Sequence, residues 1–101
     1  MNVAELLAEK RDAIKAVCTK HGAFDIRVFG SVARGDFDDT SDIDILIKLD
    51  SSGFEGMQYF RVLEELTEEL EGLLERRVDV VDEKGLREKI RAAVLEEAIA
   101  L

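Results

Sequence analysis

Residues 41–49 read SDIDILIKL and predict a β-strand with two different faces. The odd-numbered side chains from Ile43 to Leu49 are all large and apolar, whereas Asp42 and Asp44 occupy even-numbered positions. Successive side chains of a strand point to opposite faces of a sheet, so the two aspartates share one face. Aspartate is disfavoured inside strands, which makes a chance pair of surface aspartates the weaker explanation. The pattern indicates a strand that buries one face and presents two carboxylates on the other.

The segments around this strand alternate between helical and strand patterns. In the first of the flanking strands, Phe24, Ile26 and Val28 alternate with polar residues and are predicted to share a half-buried face. This order predicts an α/β (α+β) fold in which helices flank a small mixed β-sheet, with residues 1–101 as a single domain. The predicted elements are a helix from Asn2 to Gly22, a strand at 24–28, a helical turn at 31–34, a helix at 57–75, a strand at 78–81 and one or two helical turns between Leu86 and Ala98.

The charge of the chain is negative and concentrated in its middle third. The formal net charge is −9, and residues 36–75 contain thirteen acidic and two basic residues. Such a balance argues against direct binding of nucleic-acid polymers. One cysteine, Cys18, and no long apolar run predict a cytoplasmic protein with no membrane span, in which Cys18 is a core residue.

The acids of the middle third fall into two groups. The first group repels itself unless it is solvated or bound to a cation; it consists of Asp36, Asp38, Asp39, Asp42 and Asp44. The second group lies in the helix at 57–75, either as its solvated face or as a docking surface for a basic partner. In that helix Tyr59, Phe60 and Arg61 are candidate anchors, although a core position is the preferred interpretation for Phe60.

Gly30 and Ser31 end the first strand and begin the helical turn. Gly30 has no side chain, so its backbone can approach phosphate oxygens closely, and the Ser31 hydroxyl group and free amides of the turn can donate hydrogen bonds to them. The alternative interpretation is an ordinary turn from strand to helix that Ser31 caps. Gly30 and Gly35 have the spacing of a P-loop, but Asp36-Phe37 replaces the required Lys and Ser or Thr. The acidic loop also lacks the turn glycine and the closing glutamate of an EF-hand.

Taken together, Gly30-Ser31, ten further residues and Asp42-Ile43-Asp44 resemble the nucleotidyltransferase superfamily that includes DNA polymerase beta. The segments GSVARG at 30–35 and SDIDILI at 41–47 are similar to minimal nucleotidyltransferase (MNT) domains, and RVDVV at 77–81 resembles their later strand with a third carboxylate. The resemblance spans nearly the whole chain and implies the polymerase-beta-like palm fold.

The resemblance also implies a role for each matching residue. Asp42, Asp44 and Asp79 would bind two Mg²⁺ ions, with Mn²⁺ as a substitute, and Asp79 would help to deprotonate the incoming hydroxyl group. Gly30 and Ser31 would hold the phosphates of ATP. Arg34 would either contact the triphosphate or form an ion pair with a nearby aspartate. The implied reaction is transfer of a nucleoside monophosphate with release of pyrophosphate.

MNT proteins of this kind are similar to the antitoxins of two-gene toxin–antitoxin modules whose toxin is a HEPN-domain ribonuclease. The resemblance implies transfer of AMP from ATP to a tyrosine of that toxin within a hetero-oligomer, so that the protein partner supplies the acceptor. Two alternatives stay open, namely neutralisation of the toxin by binding alone and nucleotidyl transfer to a small molecule.

Overall fold

A computed structural model of the chain describes residues 2–101. Their elements in chain order are α1 (Val3–Lys20), β1 (Ala23–Phe29), α2 (Ser31–Arg34), β2 (Ile43–Leu49), α3 (Gln58–Leu74), β3 (Val78–Asp82), α4 (Glu88–Glu97) and β4 (Ile99–Ala100). The Asn2 side chain caps α1 by accepting a hydrogen bond from the Glu5 amide at 2.9 Å, and His21 is the C-cap residue. No helix in residues 2–101 has both the length and the apolar content needed to cross a bilayer.

The four strands form one mixed sheet in the order β3-β2-β1-β4. β1 pairs antiparallel with β2 and β4, whereas β2 pairs parallel with β3. The predicted fold class, a small mixed sheet with flanking helices, is therefore confirmed. β2 lies between β1 and β3, which brings its first residues next to the end of β1 and the start of β3.

The core confirms the alternation predicted for β2. Ile43, Ile45 and Ile47 are fully buried, and Leu49 is nearly so. They belong to one apolar cluster that includes residues from both long helices; the helical members are Val3, Leu7, Ile14 and Cys18 of α1 and Leu66, Leu70 and Leu74 of α3. The packed face of β2 holds this strand firmly and so determines the direction in which Asp44 points.

The prediction that Phe60 is a core residue is wrong, because its side chain is 60% exposed. Helical residues advance by about 100° each, so Phe60 lies about 120° around the helix from buried Leu66. Tyr59 lies within about 20° of Leu66 by the same count and packs against the core. Phe60 instead contacts Tyr59 edge to face, with ring centroids 5.4 Å apart.

β1 departs from the predicted alternation because it contains a bulge. The register with β2 shifts between Phe24 and Arg27, and Asp25 has a φ of 54°. An extra residue in a strand moves the following side chains to the other face. Phe24 is consequently 53% exposed, and Ala23 is buried in its place.

The C-terminal segment contains more helix and strand than the sequence predicts. α4 contains ten residues rather than one or two turns, and its Ile90 is 49% exposed. β4 was not predicted from the sequence. A strand of two residues has no recognisable period, and its existence depends on the hydrogen bonds that it forms with β1.

Candidate active site

The backbone at the end of β1 needs glycine. Gly30 has φ 74° and ψ −151°, a conformation that is essentially restricted to glycine. The four-residue helix α2 follows at once and confirms the predicted helical turn. It ends at Gly35 in the left-handed conformation, where the amides of Gly35 and Asp36 donate to the Ser31 carbonyl at 2.9 and 3.1 Å. The result is a tight turn from strand to helix with Ser31 at its start.

Gly30 also lies directly against Asp44. Phe29 is the register partner of Asp44 in the pairing of β1 with β2, and a methyl group added to Gly30 would overlap the Asp44 carboxylate. Two constraints therefore require glycine at position 30, namely the backbone angles there and the lack of space for a side chain beside Asp44. The structure therefore brings Gly30 into contact with Asp44 of β2.

The third aspartate lies across the sheet from Asp44. Asp79 is the register partner of Asp44 in the parallel pairing of β2 with β3, and Asp42 lies just before the start of β2. Burial raises the pKa of Asp44, and the negative charges of Asp79 and Asp42 raise it further. The register thus places Asp79 and Asp44 on neighbouring strands, with Asp42 two residues before Asp44.

The three aspartates supply oxygen ligands of the kind that Mg²⁺ and Mn²⁺ prefer. Across residues 2–101, however, the structure gathers no ready-made cluster of three acidic, histidine or cysteine side chains around a metal position. Asp42 instead lies with Oδ1 3.8 Å from Nε of Arg77. Repulsion between like charges favours such separated positions, and a divalent ion would favour their approach. The chemistry of the ligands therefore fits a divalent cation.

Arg34 forms ion pairs on this side of the molecule. Its Nε lies 3.1 Å from Oδ2 of Asp36, and its Nη1 lies 3.2 Å from Oε2 of Glu97. The ion pair with an aspartate is one of the two outcomes predicted for Arg34. The Arg34 side chain is about half-exposed, so part of it stays accessible to solvent.

Glu97 is the site residue that the sequence did not reveal. Its Oε1 accepts a hydrogen bond from the amide of Gly30 at 2.6 Å. In the sequence Glu97 is one of many glutamates in a helical segment, and nothing in its spacing distinguishes it. Only β4, which follows it and pairs with β1, brings it to Gly30.

The class of protein is a nucleotidyltransferase, as comparison with known families shows. The sequence profile of the nucleotidyltransferase domain family matches residues 10–101, and the chain belongs to that family. A solved structure described as a candidate minimal nucleotidyltransferase has a TM-score of 0.81 and 42% sequence identity, and the match covers 96% of this chain and 94% of that one. The resemblance to minimal nucleotidyltransferases is confirmed.

More particular similarities come from named relatives. The protein adenylyltransferase MntA of Thermococcus cleftensis is 35% identical over 96 residues, covering 87% of this chain and 92% of the relative. A predicted protein adenylyltransferase of Methanocaldococcus jannaschii is 34% identical over 99 residues, covering 98% and 97%. One chain of a crystal structure of a toxin–antitoxin with AMP-PNP has a TM-score of 0.69 at 22% identity, covering 88% and 69%; it shows the shared fold alone.

Proposed function

We propose that residues 1–101 act as one metal-dependent catalytic domain that transfers AMP from ATP to a tyrosine of a partner HEPN ribonuclease toxin in the cytoplasm. The observation that carries the proposal is the meeting of three strand ends, where Gly30 contacts Asp44 and Asp44 lies opposite Asp79. The similarity to protein adenylyltransferases supports AMP as the transferred group and a protein as its acceptor.

In the proposed reaction the tyrosine oxygen attacks the α-phosphorus of ATP. The new bond joins that oxygen to phosphorus, while the bond from the α-phosphorus to the bridging oxygen breaks and pyrophosphate leaves. Asp79 accepts the phenolic proton, because it is an exposed carboxylate beside Asp44. Gly30 and Ser31 bind the outgoing phosphates, and the free side of Arg34 adds a positive charge.

Asp42, Asp44 and Asp79 would hold two Mg²⁺ ions, or Mn²⁺ ions. When bound, such ions supply the positive charge that stabilises a triphosphate and its leaving group. The raised pKa of Asp44 supports this assignment, since desolvation and like charges disfavour its ionised form until a cation approaches. An acidic loop would otherwise repel ATP.

The outer face of α3 is the surface that we propose for the toxin. Met57 and Phe60 are 68% and 60% exposed at the start of the helix. Along the same helix, Glu64, Glu65 and Glu68 are exposed and have no ion-pair partner within residues 2–101. An apolar anchor beside unpaired acids suits a basic partner surface, as a protein that cleaves RNA would present.

Two other functions make different use of the same residues. An antitoxin that acts by binding alone would need the outer face of α3 and would not need the carboxylates around Gly30. Transfer to a small molecule would need a substrate pocket beside Asp44 that the described residues do not enclose by themselves. The contact of Gly30 with Asp44, which has Asp79 beside it, favours transfer over binding alone, and the similarity to protein adenylyltransferases favours a protein acceptor over a small molecule.

The test of the proposed activity mixes the protein with α-labelled ATP, Mg²⁺ and the product of the neighbouring gene. We expect label on the partner and loss of its RNA cleavage, and neither with the double variant Asp42→Asn, Asp44→Asn. A control, Asp12→Asn with Asp39→Asn, removes the same charge from exposed positions and should keep full activity. Full inhibition of the toxin by the Asp42, Asp44 variant would favour binding alone, and label on a small molecule would favour the other alternative.

The docking surface is tested separately by replacing Glu64 and Glu68 with glutamine. We expect the affinity for the toxin to fall about tenfold at low salt and less at high salt, because screening already weakens the attraction there. Glu9→Gln with Glu88→Gln removes two exposed acids from other helices and should leave the affinity unchanged. Equal losses in both variants would indicate a general charge effect rather than a docking surface.

A further inference from the structure

Glu97 lies opposite Gly30 because of the register between β1 and β4. The observed pairs are Arg27 with Ala100 and Val28 with Ile99. Continuing the same antiparallel register by two residues places Glu97 opposite Gly30. The chain leaves α4 at this point, and the Gly30 amide donates to the Glu97 side chain at 2.6 Å instead of to a carbonyl group.

Both oxygens of the Glu97 carboxylate have a partner at the turn. Oε1 accepts from the amide of Gly30, and Oε2 accepts from Nη1 of Arg34 at 3.2 Å. The bond to Gly30 is partly buried and involves a charged acceptor, which makes it stronger than a neutral bond. Glu97 thus links the first and last residues of the segment Gly30 to Arg34, which contains Ser31.

The position of Glu97 has an electrostatic cost. Its negative charge lies near Asp44 and contributes to the raised pKa of that residue. A fourth carboxylate would also weaken the attraction for a triphosphate. A role in geometry explains why a carboxylate stands here, because it can accept two hydrogen bonds from different directions.

We propose that Glu97 is a positioning residue for nucleotide binding, which holds the Gly30 amide and the Arg34 guanidinium so that the Gly30-Ser31 turn keeps its shape before ATP arrives. This inference rests on the proposed function. Glu97 touches no reacting atom; it acts through Gly30 and Arg34. Removing it leaves the half-buried Gly30 amide without a partner and releases Nη1 of Arg34, whose Nε stays bonded to Asp36.

The experiment measures the affinity of the whole protein for AMP-PNP with Mg²⁺ by calorimetry. We expect Glu97→Ala to bind about tenfold more weakly, which corresponds to the loss of one hydrogen bond to a charged group. Glu97→Gln keeps an oxygen for the Gly30 amide and should stay within about threefold of the original affinity. Glu96→Ala is the matched control, since Glu96 is exposed and forms no side-chain hydrogen bond within residues 2–101.

A second measurement needs no nucleotide. Exchange of the Gly30 amide hydrogen, followed by NMR, should accelerate about tenfold or more in Glu97→Ala and stay unchanged in Glu96→Ala. In transfer assays Glu97→Ala should raise the KM for ATP more than it lowers kcat. A purely structural role would instead lower the melting temperature and leave the nucleotide affinity of the folded protein unchanged.

Three results would overturn the assignment of Glu97. They are unchanged affinity in Glu97→Ala, tighter binding in Glu97→Ala, which would mean that the carboxylate competes with phosphates, and unchanged exchange at Gly30. Failure of the proposed function looks different. In that case the original protein itself binds no AMP-PNP, or it binds AMP-PNP and transfers no label.

Discussion

At the start of β3, Asp79 is exposed and lies opposite Asp44, and within residues 2–101 its carboxylate has no hydrogen-bond partner. At the end of the same strand, Asp82 is 3% exposed and accepts the Tyr59 hydroxyl group at 2.6 Å. Asp82 also accepts the amide of Lys84 at 3.2 Å. Two aspartates of one five-residue strand therefore have opposite surroundings.

The comparison separates a structural carboxylate, Asp82, from one to which we assign a function by proposal, Asp79. A buried acid must be satisfied by donors, and Asp82 receives them from α3 and from the turn that follows β3. Asp79 and Asp44 lie side by side with like charge, and among residues 2–101 neither carboxylate has a hydrogen-bond donor, an arrangement that costs energy in the protein alone. Asp44 and Asp79 are therefore candidates for ligand binding, because a bound cation would relieve their repulsion. Asp82 instead joins the sheet to α3 through its hydrogen bond with Tyr59.

The largest expected effect concerns Asp44. We expect Asp44→Asn to lower the rate of AMP transfer on the order of 10³-fold, because it removes a charge used only with the nucleotide. Folding raises the pKa of Asp44, so at pH values above its ordinary pKa the ionised carboxylate opposes folding. Asp44→Asn should therefore melt at pH 7 at a temperature no lower than that of the original protein. Labelled transfer and thermal unfolding measure both effects, with Asp39→Asn as control. A large drop in melting temperature would assign Asp44 to structure.

The next effect concerns the contact of Gly30 with Asp44. Gly30→Ala should cost about 3 kcal/mol of stability, because the added methyl group meets the carboxylate in a backbone conformation that already disfavours alanine. Gly53→Ala is the matched control, since Gly53 has φ 86° and open space around it; it should cost about 1 kcal/mol. Urea unfolding measures both values, and equal costs would mean that the contact with Asp44 is unimportant.

The two aspartates of β3 are expected to affect different properties, stability for Asp82 and transfer for Asp79. Asp82→Ala should lower the free energy of unfolding by about 2 kcal/mol, since it leaves buried donors unpaired. Asp79→Ala should change stability by less than about 0.5 kcal/mol and abolish transfer. Chemical unfolding and labelled transfer on both variants check the pair. Transfer at an unchanged rate in Asp79→Ala would remove this residue from the catalytic group.

The smallest effect is spectroscopic. Burial and the hydrogen bond to Asp82 raise the pKa of Tyr59 to about 12. Because this pKa is raised on folding, the associated stability is complete below pH about 10 and is lost as the pH rises through about 12. Tyr59 is the chain's one tyrosine, so absorbance of its ionised form reports it alone. Asp82→Asn should lower the pH midpoint of Tyr59 ionisation part of the way toward the ordinary tyrosine pKa. An unchanged midpoint would mean that burial alone raises the pKa of Tyr59.

The sequence predicts the local structure of β2 and of the turn at Gly30 better than it predicts the edges of the fold. The alternation of residues 43–49, the glycine before Ser31 and the helical turn to Arg34 are local patterns, and each is present in the structure. The bulge near Asp25 and the exposure of Phe60 were missed. They depend on how a strand or helix meets its neighbours, which period alone does not encode.

The roles of Asp42, Asp44 and Asp79 remain predictions, but their proximity has two different origins. Asp42 and Asp44 are two positions apart, so the period of two of an extended chain predicts a common direction from the local sequence alone, although Asp42 lies just before β2 in the structure. Asp79 is 35 positions further along the chain than Asp44 and reaches it only through the parallel pairing of β2 with β3. Its spacing from Asp44 carries no geometric information by itself.

By itself, the sequence determined the buried and exposed faces of β2, the need for glycine before Ser31 and the family of the chain, because these depend on side chains that are close in sequence. Tertiary structure alone decided that Asp82 is a satisfied core residue, that the Asp79 carboxylate has no hydrogen-bond partner in the described part of the chain, and that Glu97 binds the Gly30 amide. Those outcomes depend on which hydrogen-bond donors and charges lie near each carboxylate in space. Pairing between strands that are distant in sequence brings these groups and the carboxylates together.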